Sequence, residues 1–294
     1  MTTAIVFAAL MAGGTFSLGL FDVKQKKYLT QGIDEQVILT VTFIGTGLIA
    51  LLAVLIVGVP EIKSGFLLAA LSTITINVVA QNLLIRAFKA EEASLISPIR
   101  LVTTPLVIVT GFLLLNEQPS ISGIIGIFVT ILGLGILMHS MRAFSFSFPF
   151  RLSKGVTYGI IAAVLFSISF PLDKITVLTS SALFAVAVTF LGVGTITALL
   201  NISRDHKFIP KTFQTMKITG SGLLYLSLLQ GVGNILTNQA FNYSLTAYAA
   251  SLKRLQALWT VLLAGTFLKE KNIKMRFVAT LVMFAGILIS VISQ

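Results

Sequence analysis

The sequence contains no cysteine, which excludes disulfides, thiolate metal sites and cysteine nucleophiles outright. It has only two histidines, one between Asp205 and Lys207 and one, His139, at the end of an apolar run. Charge is scarce as well: 11% of the 294 residues are charged against 56% hydrophobic, where soluble domains carry about a quarter charged residues. Acid is the scarcer sign, with 10 Asp and Glu against 21 Lys and Arg. No Asp-rich loop for a divalent metal and no clustered acid–base set stands out, so a membrane-embedded acyl- or prenyl-transferase is a distant reading. The chain is not expected to be an enzyme or to hold a cofactor or metal.

What is abundant is long apolar runs. The uncharged stretches 37–57, 64–85, 155–172 and 277–294 each reach or approach the roughly 20 residues that cross a bilayer. The first run, 3–21, has no basic segment before it and no small-x-small cleavage site, and so reads as a retained first helix. Apolar runs and polar breaks predict helices at 3–21, 36–57, 64–88, 93–115, 119–140, 153–172, 179–201, 217–241, 246–268 and 273–292. The expected fold is therefore all-α, a multi-pass protein of the plasma membrane with ten transmembrane helices, its natural partner the lipid bilayer. The net charge of +11 sits in the short breaks between runs, where the positive-inside rule accounts for it, so no nucleic acid partner is expected.

The ten helices divide five and five. A first repeat covers 1–140, a second 153–294, and a linker at 141–152 carries Arg142, Arg151 and the alternating Phe144, Phe146, Phe148 and Phe150, suited to the headgroup level. An offset of 153 superposes Ala87-Phe88 on Ala240-Phe241, Arg100 on Lys253, Leu115 on Leu268, Glu117 on Glu270 and Gly133 on Gly286. An offset of 150 superposes Phe16-Ser17 on Phe166-Ser167 and Lys24 on Lys174. An odd number of spans per repeat makes the second half enter the membrane from the opposite side, so the repeats are inverted, an arrangement that supports alternating access around a midplane site. Nearly all Lys and Arg of the loops fall on the side opposite the termini, which predicts both termini outside.

Ionisable groups inside a bilayer cost about 2.5–3.5 kcal/mol each at a helix centre and face a cavity or a partner when they persist. Arg100 lies about seven residues into the fourth predicted helix and Lys253 and Arg254 a similar distance into the ninth, about 10 Å deep. Neither helix offers an acid at that depth, so the cluster reads as an uncompensated anion site, guanidinium offering two-pronged geometry to carboxylate or phosphate. The alternative is that these cations satisfy carbonyls or pair with Glu91 or Asp173 across the bundle. Pro98 and Pro105 flank Arg100 and permit a bend. Asn77 and Gln81 on the third helix, and Gln230, Asn234 and Asn238 on the eighth, recur at i, i+4 and form polar stripes for substrate or for interhelical bonds. Arg86 is an accessory candidate or an interfacial anchor. Asp173 is paired locally with Lys174 or serves as a proton-coupling carboxylate. Tyr225, Tyr243, Tyr248 and Trp259 line a pocket or pack at the interface. Gly123, Gly126, Gly133 and Gly135 suit close packing, between the halves or in a homodimer.

The segment Leu113-Leu114-Leu115-Asn116-Glu117 before a glycine-rich helix, and its counterpart Phe267-Leu268-Lys269-Glu270 with Gly286, resemble the paired EamA domains of the drug/metabolite transporter superfamily over nearly the whole chain. That resemblance implies a secondary transporter of a small metabolite, with both termini in the cytoplasm, contrary to the charge count. The fourth- and ninth-helix cations are similar to those of the plastid sugar-phosphate translocator branch, which implies that Arg100, Lys253 and Arg254 hold substrate phosphate, although Arg100 stands where that branch has lysine. The expected function is secondary active transport of an anionic small-molecule substrate, an organic phosphate or carboxylate, by exchange or proton coupling. An amino-acid, mixed-metabolite or drug exporter of the same fold is the alternative.

Overall fold

A computed structural model describes residues 2–106, 121–139, 152–239 and 252–292. Ten α-helices are bounded among them: α1 (Thr2–Thr30), α2 (Glu35–Val57), α3 (Phe66–Ala90), α4 (Ala93–Ile99), α5 (Ile121–His139), α6 (Lys154–Leu178), α7 (Ala182–Arg204), α8 (Phe208–Gln239), α9 (Leu255–Phe267) and α10 (Ile273–Ile292). The described residues contain no strand. The 23 residues of α2 extend about 35 Å, enough to cross a hydrocarbon core of about 30 Å. Four helices, α2, α3, α6 and α7, are long and apolar enough to span by length and composition. On α2, Leu52, Leu55, Ile56 and Val57 are exposed; a ridge of that kind suits lipid and would aggregate in water.

Helix boundaries depart from the sequence expectation where polar residues ride on helices. The first helix runs nine residues past 21, because Lys24, Lys26 and Lys27 lie on its own last turns rather than in a loop. The sixth runs on to Leu178 through Pro171, which places Asp173 and Lys174 inside it. The eighth starts at Phe208 and bends at Thr219, where φ is −127°. The linker lies outside the described residues except Leu152, as do Glu117, Tyr243 and Tyr248.

Close approaches at glycine make the two-fold relation of the halves explicit. A β-carbon at Gly133 on α5 would lie 2.5 Å from the Met283 side chain and 3.0 Å from the Ala279 carbonyl on α10; one at Gly286 would lie 2.5 Å from Thr130 and 2.7 Å from the Gly126 carbonyl. Subtracting 153 from 286, 283 and 279 gives 133, 130 and 126, so the two contacts are one contact seen from either helix. The same holds where α2 crosses α7: Gly47 meets Leu191 and Gly194 meets Ile44, both at an offset of 147. Gly45 against Ser227 (α2 on α8) mirrors Gly192 against Ile74 (α7 on α3). The paired packings of α3 with α6 and of α1 with α8 complete the pattern. Gly133 and the Gly126 backbone thus join the halves, since small residues let backbones close to packing distance where lipid offers no hydrophobic gain, whereas Gly135, grouped with them in the sequence, faces open space.

Alternation of helix direction puts Thr2 and Ile292 at one end of the bundle. The opposite, basic end is tied by ion pairs: Lys211 to Asp34 at 2.5 Å, Lys89 to Glu35 at 2.6 Å, and Arg276 to Glu92. Asp34 also caps α2, accepting from the amides of Gln36 and Val37 at 2.9 and 3.2 Å. Burial opposes its ionisation, but the bond from Lys211 and the two amides outweigh this and hold its carboxyl below the usual carboxylate range. Asp34→Ala is expected to lower stability by about 1 kcal/mol, read as a thermal midpoint in detergent. A depressed folded-state pKa contributes stability that is present at neutral pH and lost as pH falls through it, so the gap between variant and parent closes in acid. Gly133→Leu, which drives a side chain against the Met283 backbone nitrogen at 2.7 Å, is expected to cost about 1–3 kcal/mol by the same measurement.

Candidate functional site

A cavity of about 240 Å³ occupies the centre of the bundle. Among the described residues its mouth lies at the end that holds the termini, where its lining reaches the exposed Lys174 and Leu178 at the end of α6 and Ala185 and Val186 at the start of α7. Its floor reaches Asp22 and Gln25 on α1 and Ile85 on α3. Beneath the floor the basic end is sealed. Lys26 Nζ donates to the Phe88 carbonyl at 2.8 Å, while the Glu270 carboxylate accepts from the Ala93 and Ser94 amides at 2.9 and 3.0 Å and Arg276 donates to Ser94 Oγ at 2.5 Å.

All three sequence-predicted cations line the cavity, as do Asn77, Gln81, Gln230, Asn234, Asn238 and Asp173. The i, i+4 stripes on α3 and α8 therefore both face inward. Arg86 does not: it is exposed on the far side of α3. Trp259 packs edge-on against Phe16 at 5.5 Å, and Tyr225 is exposed, so neither belongs to the cavity.

The helices that carry the cations break at them. After α4, with Pro98 inside it, Arg100–Val102 forms a turn of 3-10 helix before helical backbone resumes at Thr103. The missing proline N–H and the ring's crowding of the preceding turn explain the tightening. In the second half, Leu252 and Lys253 are helical, Arg254 is a turn residue and α9 starts at Leu255, without a proline. Broken helices at membrane depth line cavities, where freed backbone groups find partners.

The expectation that the cluster is uncompensated fails for Arg100. Asp22, only 2% exposed, lies on α1 opposite it, with Arg100 Nη1 at 3.3 Å from Oδ2. The same carboxylate accepts from Ser97 Oγ at 3.0 Å, Gln256 Nε2 at 2.9 Å and Thr260 Oγ1 at 3.1 Å, and so ties α1 to α4 and α9. The partner comes from a helix that sequence distance hid, 78 residues away. Its only signal in the sequence is an acid eight residues before the end of α1, a depth at which a carboxylate needs a partner.

Lys253 and Arg254 are not neutralised in this way. Lys253 Nζ rests 3.4 and 3.5 Å from the amide oxygens of Asn234 and Asn238, within electrostatic reach of Asp173 but forming no ion pair with it. Arg254 donates through Nε to Thr104 Oγ1 at 3.1 Å and lies over the Phe170 ring at 5.6 Å; among the described residues it makes no other hydrogen bond. Although consecutive residues point about 100° apart on a helix, the turn at Arg254 brings both to the cavity. Asp173 does not pair with Lys174, which points to solvent; it accepts from Thr73 Oγ1, and Asn77 donates to Thr73 Oγ1 and Ser169 Oγ at 3.1 and 3.3 Å. Thr103, also missed in the sequence, places a buried hydroxyl without a partner beside the cavity.

Removing Asp22 leaves a part-buried guanidinium alone, so Asp22→Ala is expected to cost about 3 kcal/mol of stability or more. Asp22→Asn keeps the shape and most of the hydrogen bonds and should lose much less; thermal unfolding of the two variants side by side measures the difference.

The sequence profile of the EamA-like transporter family matches residues 4–139 and again 153–292, one match for each half of the bundle. A solved crystal structure of a protein superimposes with a TM-score of 0.66 over 97% of this chain and 97% of that one, at 13% identity, a likeness of fold alone. The comparison with curated proteins finds no match.

Proposed function

The chain belongs to the EamA-like transporter family, is a multi-pass membrane transporter of small molecules, and we propose that its substrate is a small metabolite with an anionic group, a carboxylate or phosphate, gripped by Lys253 and Arg254. The observation that carries this reading is the state of those two cations, which face the cavity from a break in the ninth helix with only neutral partners within bonding distance. An ammonium and a guanidinium in a low-dielectric cleft attract an anion strongly, and the unused guanidinium nitrogens of Arg254 suit two-pronged binding. Arg100, committed to Asp22, is not counted in the grip, which weakens the likeness to the sugar-phosphate branch. The amides of Asn77, Gln81 and Gln230 supply hydrogen bonds for the remainder of the substrate.

The inverted halves favour alternating access about this site, driven by exchange or by a proton gradient. The concentration of Lys and Arg at the sealed end favours that end as the cytoplasmic one and the plasma membrane as the location, with the cavity open to the outside.

A second reading rests on Asp173. A carboxylate on α6 that lines the same cavity as the two cations suits a zwitterion, its ammonium toward Asp173 and its carboxylate toward Lys253 and Arg254. A thermal-shift screen of sugar phosphates against amino acids on purified protein separates the two, and counterflow in proteoliposomes establishes transport of the hit. Lys253→Ala and Arg254→Ala are each expected to weaken binding of that hit by about 10- to 100-fold, the equivalent of one charged hydrogen bond, with the fold intact. Unchanged affinity in both variants would eliminate the anion grip.

A further inference from the structure

The cavity holds one carboxylate–cation pair that is closed and one that is open. Asp22, on the first helix of the first half, is bonded to Arg100 at the break of the fourth. Asp173, on the first helix of the second half, faces Lys253 at the break of the ninth without bonding to it. Arg100 and Lys253 are separated by the repeat offset of 153, and Asp173 is one residue from the position equivalent to Asp22 at the offset of 150. We propose that the two pairs are one device present in each inverted half, that they close alternately, and that Asp22 and Asp173 are positioning residues whose engagement decides which end of the cavity is open.

The proposal rests on the alternating-access reading above and follows from what inversion requires. If the halves exchange conformations between the two states, each contact that the first half makes now is made by the second half in the other state. The closed hub at Asp22 draws α1, α4 and α9 together on the side of the sealed end. Its mirror, at Asp173, lies five residues from Leu178, where among the described residues the cavity reaches an exposed end of the bundle. A second observation points the same way. Gln256 donates to Asp22 in the closed hub, and its repeat equivalent, 256 less 153, is Thr103, whose buried hydroxyl has no partner among the described residues. Thr103 is the donor that the mirrored hub requires, waiting beside the cavity. Meanwhile the open pair is parked on its own walls, Asp173 on Thr73 and Lys253 on Asn234 and Asn238.

The absence of native cysteine permits a direct test with single-cysteine reporters. Val177→Cys reports the mouth, and Ala93→Cys, at a fully buried position of the sealed end, reports the opposite face. In otherwise unsubstituted protein a water-soluble thiol reagent should label position 177 quickly and position 93 slowly. Asp22→Asn, and independently Arg100→Gln should the former fold poorly, are expected to slow labelling at 177 and speed it at 93, by about tenfold for a shift of 1.4 kcal/mol. Asp173→Asn and Lys253→Gln are expected to act in the reverse sense, slowing labelling at 93 further. A merely structural role would raise labelling at both positions together. Anticorrelated labelling in which both classes of variant move the same way overturns the pair exchange and leaves alternating access standing. Labelling that never anticorrelates in any variant overturns alternating access itself.

Discussion

A carboxylate buried at the centre of a membrane bundle must be paired, and the rest of this cavity is arranged around how Asp22 meets that demand. Four groups converge on it: a guanidinium, two hydroxyls and an amide, from helices that the chain visits far apart. The pairing fixes the distance between α1, α4 and α9 more tightly than apolar packing alone, because a partly satisfied buried charge is far costlier than a satisfied one. With Arg100 held, Lys253 and Arg254 are, among the described residues, the positive charges that the cavity presents deep inside, and Asp173 is the negative one.

The two-fold arrangement extends this logic from one residue to the architecture. Glycines at 45, 47, 133, 192, 194 and 286 meet their neighbours in mirror-related pairs, so the scaffold is symmetric at its helix crossings. The charged interior is not. One hub is closed and the other open, one end sealed by Lys26, Glu270 and Arg276 and the other lined by an accessible mouth. Symmetric packing around asymmetric polar contacts is what a bistable bundle requires: the crossings need not be rebuilt between states, while a handful of polar bonds trade places.

Much of this was legible in the sequence. Ten helices, five-and-five division and inversion follow from run length and offset alone, and the polar stripes on the third and eighth helices face inward as i, i+4 spacing implies. Helix ends are less legible, because Lys24, Lys26 and Lys27 on α1 lie beyond the first apolar run and Asp173 marks the end of the sixth, although both helices continue past them. The Asp22–Arg100 pair was hidden for a different reason. Depth within one helix can be counted, but which helix stands opposite is set by packing, and the acid that meets Arg100 stands on the first helix and not on the fourth or ninth. The free hydroxyl of Thr103 carries no signal at all until its repeat mate is seen at work.

Charge counting inside the cavity constrains what can pass through it. Among the described residues Arg100 and Asp22 cancel, leaving Lys253 and Arg254 against Asp173, a surplus of one positive charge apart from the exposed Lys174 at the mouth. An empty cavity with that surplus is poorly suited to a low-dielectric surrounding and well suited to water at an open mouth, where the cations remain solvated. To close around a ligand the site must lose that solvation, so a ligand that brings a matching negative group compensates the loss and a neutral or cationic one does not. The requirement that forces Asp22 to be paired thus bears equally on the proposed anionic substrate, since a buried surplus charge is costly until it is balanced.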